Sequence, residues 1–237
     1  MANKDAASYR AIFDIIKQRA TAAGQQFNPS AILSDFESGL IASDATSFPN
    51  ARHQGCHFHF CQAIYRKVQA LGLTAIYDTN LQARMQIRQL MALGFLPLAV
   101  VRLTFHTLEA QAINALQPLF QYFRHQWLGN VRPVMWNTYN EDLRTNKDCE
   151  WWHVRFNNDI RRHHPNIWQF LNCVREEQAS VELLQQQIAA GRAARQRNKK
   201  YVFVQRRLRQ LQRRYACGSI MAIEYITGIS HNLAERH

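Results

Sequence analysis

Apolar and polar positions divide this chain into a short mixed stretch and a long helical remainder. Residues 5 to 23 place Tyr9, Ile12, Phe13, Ile16 and Ala20 three or four positions apart, which predicts an amphipathic helix closed near Gly24. After the break at Pro29, Ala31-Ile32-Leu33 reads as a short buried strand ending at Ser34-Asp35. Residues 37 to 45 suit a short helix, Phe48-Pro49-Asn50 a turn, and a second short strand runs up to Gly55-Cys56. From Phe58 the helical period returns through Ile64, Val68 and Leu71 and stops at Gly72. Helix-strand-helix-strand-helix in that order predicts part of an α/β layer.

Beyond it the α/β layer stops. Residues 82 to 127 read as helical throughout, with apolar Leu90, Leu93, Leu96, Val100, Leu103, Leu108, Leu116, Phe120 and Phe123, and Pro97 and Pro118 at helix starts or kinks. Arg132 to Asn140 is a connector with Pro and Trp, and a new helix begins near Thr145 or Asn146 ahead of Glu150. After Pro165, residues 174 to 190 and 199 to 215 form two further helical runs. The expected fold class is therefore helix-rich α/β.

Composition adds a core and a partner class. Of the 237 residues 47% are hydrophobic and 19% charged, which excludes disorder for most of the length. Lys and Arg number 29 against 17 Asp and Glu, a formal net charge of +12 that favours polyanionic partners, nucleic acid first and an anionic membrane surface second. Five cysteines, an odd count without regular spacing, argue against a secreted disulfide scaffold. No apolar run approaches the roughly 20 residues of a membrane span, and the first residues lack the uninterrupted apolar core of a signal peptide. A soluble, intracellular protein is expected.

Three segments carry candidate chemistry: I-L-S-D-F-E at 32–37, F-P-N-A-R-H-Q-G-C-H-F-H-F at 48–60 and T-N-K-D-C-E-W-W-H at 145–153. An Asp just past a buried strand, here Asp35, is held by rigid backbone and suits a hard cation such as Mg²⁺. Glu150, on a helix beside that strand, would supply a second oxygen ligand, and two metals on shared carboxylates activate a nucleophile at a phosphodiester. The plainer alternative is that Asp35 and Glu37 cap the next helix. Cys56-x-x-His59 has the form of half a zinc site, with Cys149 and His153 as a second pair, but the ~90-residue gap matches no known finger spacing. Otherwise Cys56 is buried at a strand end, and His59 orients Asp35 or contacts a phosphate. His153 falls three residues after Glu150 on the same helical face, and Trp151 and Trp152 are read as core packing or base-stacking groups. Between Gly191 and Arg214 lie ten basic and no acidic residues: Arg192, Arg195, Arg197, Lys199, Lys200, Arg206, Arg207, Arg209, Arg213 and Arg214. With Val202, Leu208 and Leu211 as a docking stripe, this run is expected to bind DNA phosphates.

These motifs, with N-K-D-A-A-S-Y-R-A-I-F from Asn3, W-N-T-Y-N from Trp136 and E-Y-I-T-G-I-S-H-N-L from Glu224, resemble the Mutator-like element (MULE) transposases. The resemblance implies an RNase H-like fold with a D-D-E triad, interrupted by a helical insertion. It also implies Mg²⁺ or Mn²⁺ as cofactor, cleavage and joining of DNA at transposon ends and target DNA, self-association and a nuclear location. Asp35 matches the second Asp of the triad, Glu150 the Glu, and Cys56 and His59 the family's C-x-x-H pair. Lys147-Asp148-Cys149 departs from the family's approach to the Glu. The first Asp, on a strand upstream of the segment matched by Asn3-Lys4, has no counterpart here.

The expected architecture is thus a partial RNase H-like layer lacking its first strands (1–74), a helical insertion (75–141), the Glu helix returning to the core (142–172) and a basic helical C-terminal region (173–237). The expected function is the C-terminal portion of a MULE-type transposase, inactive alone with two of three carboxylates. The alternatives are a domesticated DNA-binding or interaction protein on the same scaffold, and a zinc-stabilised structural module.

Overall fold

The structure, a computed structural model, describes residues 4–141, 144–145, 147–160, 166–193 and 199–233, without the side chains of 147–151, 159, 200 and 201. Among them it is a helix-rich α/β protein with one two-stranded parallel sheet. Contacts divide it into two units, Met1–Thr145 with Arg206–His237, and Asn146–Gln205.

In the first unit, α1 (Ala6–Ala22) leads to β1 (Ala31–Ser34), α2 (Ser38–Ser47), β2 (Arg52–Gly55) and α3 (His57–Ala70), in the order the hydrophobic pattern predicts. Asp5 caps α1 by accepting from the Ser8 N–H at 2.8 Å, and Gly24 closes it with a φ of 71° that a β-carbon would disfavour. The helices α1 and α2 approach closely at Gly39, where a β-carbon would lie 2.4 Å from the Lys4 carbonyl oxygen. Phe48 seals this end, with Phe13 and Phe27 edge-on at 5.1 and 5.7 Å. The strands pair in register Ala31 with Arg52 and Ser34 with Gly55.

The helical stretch resolves into α4 (Thr74–Thr79), α5 (Leu81–Ala92), α6 (Leu98–Ala110), α7 (Gln117–His125) and α8 (Pro133–Trp136), with a π turn at Gln126–Asn130. Pro97 and Pro118 sit at the starts of α6 and α7, as expected where a proline costs no helical hydrogen bond. This stretch shares its core with α3. Phe60 is fully buried, stacks on Trp136 at 4.9 Å and meets Trp127 edge-on at 4.8 Å, with Phe105 and Phe123 behind. Each such ring contributes about 1.5–3 kcal/mol by burial. One face of α3 (His57, Phe60, Cys61, Ile64 and Val68) is thereby locked into the helices, leaving its first turn to face the strand ends. The helix α12 (Ala222–Ser230) completes this unit against α5, and Gly228 lets Leu211 approach to 2.8 Å of its would-be β-carbon.

In the second unit α9 (Lys147–Ile160) packs on α10 (Ile167–Ala189): Trp152 stacks on Phe156 at 4.9 Å, and its indole N–H donates to Glu177 at 2.7 Å, beside an Arg155–Glu177 ion pair. The helix α10 starts seven residues earlier than the expected run at 174–190. Asn166 accepts from the Gln169 N–H and the Gln169 side chain accepts from the Asn166 N–H, a reciprocal cap ahead of Ile167, Phe170, Leu171 and Val174, whose three- and four-residue spacing is helical from the first turn. The last long helix, α11 (Lys199–Ala216), runs from this unit into the first.

Candidate active site and nucleic-acid face

Parallel strands end on the same side, so the register that sets Ser34 against Gly55 also sets Asp35 beside Cys56, whose N–H donates to the Ser34 carbonyl at 2.8 Å. The carboxyl ends of parallel strands are where such sheets present reactive groups. Asp35 has a side chain 51% exposed, and His59, in the first turn of α3, brings Nδ1 within 2.8 Å of Asp35 Oδ1. The approach lies outside the angles of a linear hydrogen bond, so its strength is electrostatic and largest when the imidazole is protonated. The structure thus brings His59 beside Asp35, two residues that the sequence singled out separately.

The turn is built to hold Asp35. Phe36 packs edge-on to Trp127 at 5.1 Å, over a strand end kept bare by Gly55: a β-carbon there would come within 2.3 Å of the Phe36 ring. Glu37 stands at the N-cap of α2 but makes no capping bond with its side chain. It accepts instead from the Tyr9 hydroxyl at 2.8 Å and pairs with Lys4 at 3.4 Å, tying α1 to the site turn. Capping by Glu37 is therefore replaced by an inter-helix tie. Burial, the Glu37 hydrogen bond and the charges of Glu37 and Asp35 all raise the Tyr9 pKa.

Beneath Asp35 runs a buried polar chain that sequence reading missed. His53 on β2 sits 2.5 Å through Nε2 from Ser34 Oγ and 3.2 Å through Nδ1 from Asp44 Oδ2, and Ser34 Oγ donates to the Asp35 carbonyl at 3.0 Å. Asp44 is only 2% exposed. Burial lifts its pKa to about 6 and lowers that of His53. Burial thus disfavours the charged form of both groups, and the Asp44 oxygens, buried near His53, make no hydrogen bond of good geometry, so the carboxylate is held at a desolvation cost.

Cys56 is fully buried at the strand end, and Cys61 lies one turn on, its Sγ 3.6 Å from His57 Nδ1. Burial, with a contribution from Cys56, pushes the Cys61 thiol well above its ordinary value, which keeps it a thiol and a poor metal ligand. Among the described residues no three His, Cys, Asp or Glu side chains gather at one point. A hard cation fits the Asp35 end better: Mg²⁺ is commonly held by one or two carboxylates plus substrate phosphates, and Asp35 offers such an oxygen at an open edge.

Glu150 and Cys149 lie within α9, their side chains outside the described residues, as is that of Trp151. His153 is exposed and meets the Trp152 ring at 5.1 Å. Of the basic run, Arg195 and Arg197 fall outside the described residues, as does the Lys200 side chain. Arg192 is exposed after α10 and bonds Gln187, and Lys199 is exposed at the start of α11. Within the first unit, α11 buries Leu208 and presents Arg206, Arg207, Arg209, Arg213 and Arg214 on its exposed surface. Five guanidiniums on three turns make a face suited to phosphates.

Residues 1–63 match the family model of the MULE transposase domain, so the resemblance read from the motifs is shown for the segment that contains Asp35, Glu37, Cys56 and His59. Comparison with curated proteins and with solved structures finds no match. No helix among the described residues is long and apolar enough to cross a membrane.

Proposed function

We propose that this chain is the C-terminal portion of a MULE-type DNA transposase, a nuclear protein with an RNase H-like core in which Asp35 and Glu150 are two carboxylates of a D-D-E triad. The observation that carries the reading is the meeting of Asp35 with His59 at 2.8 Å, since both belong to motifs within the matched segment. Asp35 and Glu150 would hold Mg²⁺ or Mn²⁺, which when bound activates a water or 3′ hydroxyl and offsets charge at the phosphodiester. His59 holds the Asp35 carboxylate in place, and His153 lies on the Glu150 helix. The arginines of α11 bind DNA backbone phosphates at transposon ends or target DNA. With two of the three carboxylates, this chain by itself does not cut DNA.

The test is a strand-cleavage assay on terminal-repeat DNA with Mg²⁺ or Mn²⁺, run beside DNA binding. Expected are binding with a steep salt dependence and no cleavage by the 237-residue chain. Robust cleavage abolished by Asp35→Ala would overturn the inactivity. Absence of DNA binding at low salt would overturn the reading as a whole.

A further inference from the structure

Beside the buried Leu208 of α11, a cleft of about 100 Å³ opens between that helix and the loop after α8. Tyr139, Asn140, Arg144, Arg209, Gln212 and Tyr225 contribute to its lining. We infer that this cleft is a binding site for a phosphate group, set in the basic helix as a shaped pocket rather than as part of a uniformly charged face.

The lining is the first reason. Arg144 and Arg209 bring two guanidiniums to one small concavity, whose carboxylate, Glu141, is engaged by Arg52 in a two-pronged pair with one arm at 2.8 Å. Planar guanidiniums match the tetrahedral oxygens of phosphate through paired N–H donors. The polar side chains of Tyr139, Asn140 and Gln212 add hydrogen-bonding groups of the kind that fix an anion's orientation.

The second reason is that the walls are held in place. Arg144 lies over the Phe95 ring at 5.3 Å and donates to the Glu141 carbonyl at 3.2 Å. Asn140 has a φ of 64°, a left-handed conformation, and accepts from the Gln212 amide, which fastens the loop to α11. Tyr225 stacks on Tyr215 at 4.8 Å. A site with fixed walls loses little entropy on binding.

The third reason is position. The Arg144 carbonyl accepts from the His57 N–H at 2.8 Å, at the start of the helix that carries His59. The loop that walls the cleft therefore also braces the turn facing Asp35. A DNA phosphate seated here would be held in fixed relation to that carboxylate. In this form the inference rests on the DNA reading above.

The test uses the full chain and two probes. Fluorescence anisotropy with duplex DNA compares Arg209→Gln and Gln212→Glu, both in the cleft, with Arg213→Gln, on the same helix outside it. Circular dichroism checks that each variant folds. Expected losses are about tenfold or more for each cleft variant and only a few-fold for Arg213→Gln, and Arg209→Gln lowers the salt slope by about 0.9. In parallel, inorganic phosphate is titrated at constant ionic strength while the arginine side-chain NMR signals are followed, with Arg144 and Arg209 expected to move. Equal DNA losses for Arg209→Gln and Arg213→Gln, with no response to phosphate, would overturn the cleft and leave the DNA reading standing. Wild-type protein that ignores DNA while phosphate moves Arg144 and Arg209 would uphold the cleft for a small phosphate compound and end the DNA reading.

Discussion

Replacing Asp44 by Asn isolates the proton held in the chain beneath Asp35. Because Ser34 donates to the Asp35 carbonyl, its oxygen accepts from His53 Nε2. Asp44 Oδ2 lies 3.2 Å from His53 Nδ1 but makes no hydrogen bond of good geometry, so the carboxyl is buried without compensation. Burial raises the Asp44 carboxyl from 3.8 to about 6, so the folded protein keeps a proton that the unfolded chain releases near pH 4. The associated stability is full below 3.8, falls as pH rises through about 6 and is absent above it. A rise of that size corresponds to about 3 kcal/mol, an upper bound where water reaches the carboxylate. His53, held below 6.5, works the other way, losing stability as pH falls through 6.5. An Asn at position 44 keeps the shape of the side chain without a charge to bury. Urea unfolding of wild type and Asp44→Asn, followed by tryptophan fluorescence between pH 4 and 7.5, should give nearly equal stabilities at pH 4. The variant should be the more stable by about 1–3 kcal/mol at pH 7. A gap that is constant with pH, or a wild type more stable than the variant above pH 6, would mean that a partner compensates the Asp44 charge and refute the burial penalty.

Two further perturbations address the turn around Asp35. Gly55→Ala places a methyl within 2.3 Å of the Phe36 ring and should cost about 1–3 kcal/mol in urea unfolding; adding Phe36→Ala should recover part of that loss, a coupling that a double-mutant cycle measures. Tyr9→Phe removes the 2.8 Å bond to Glu37 and should cost about 1 kcal/mol, with faster amide exchange in α1 than in α3 as its local signature.

Much of the layer was legible because short elements here have plain signals: three- and four-residue spacing from Tyr9 to Ala20, an apolar triplet before Ser34, and glycines at 24 and 72. Asp35 and His59 were legible as candidates because a carboxylate at a strand end and a histidine one helical turn past the next strand project toward the same edge. The Ser34–His53–Asp44 chain was not, because it depends on a parallel register and on a helix folding back over both strands. Its one sequence signal is an acid, Asp44, between small and apolar neighbours in a helix that then buries it. The Glu37 contact was not legible for a similar reason: proximity in sequence suggests a cap, the plainer alternative, while its donor Tyr9 lies 28 positions away. The early start of α10 was legible in principle: Asn166 and Gln169 form a capping pair after Pro165, and Ile167, Phe170, Leu171 and Val174 already keep the helical period.

The central claim, that Asp35 and Glu150 serve one divalent-metal site, is tested most directly by Fe²⁺-directed hydroxyl-radical cleavage of the polypeptide. Iron in place of Mg²⁺ cuts backbone only near the bound metal. Two clusters of cuts are expected, around residue 35 and around residue 150, both suppressed by excess Mg²⁺ and both lost in Asp35→Ala. Cuts confined to one of the two segments, or cuts at both that survive Asp35→Ala, would contradict a shared site.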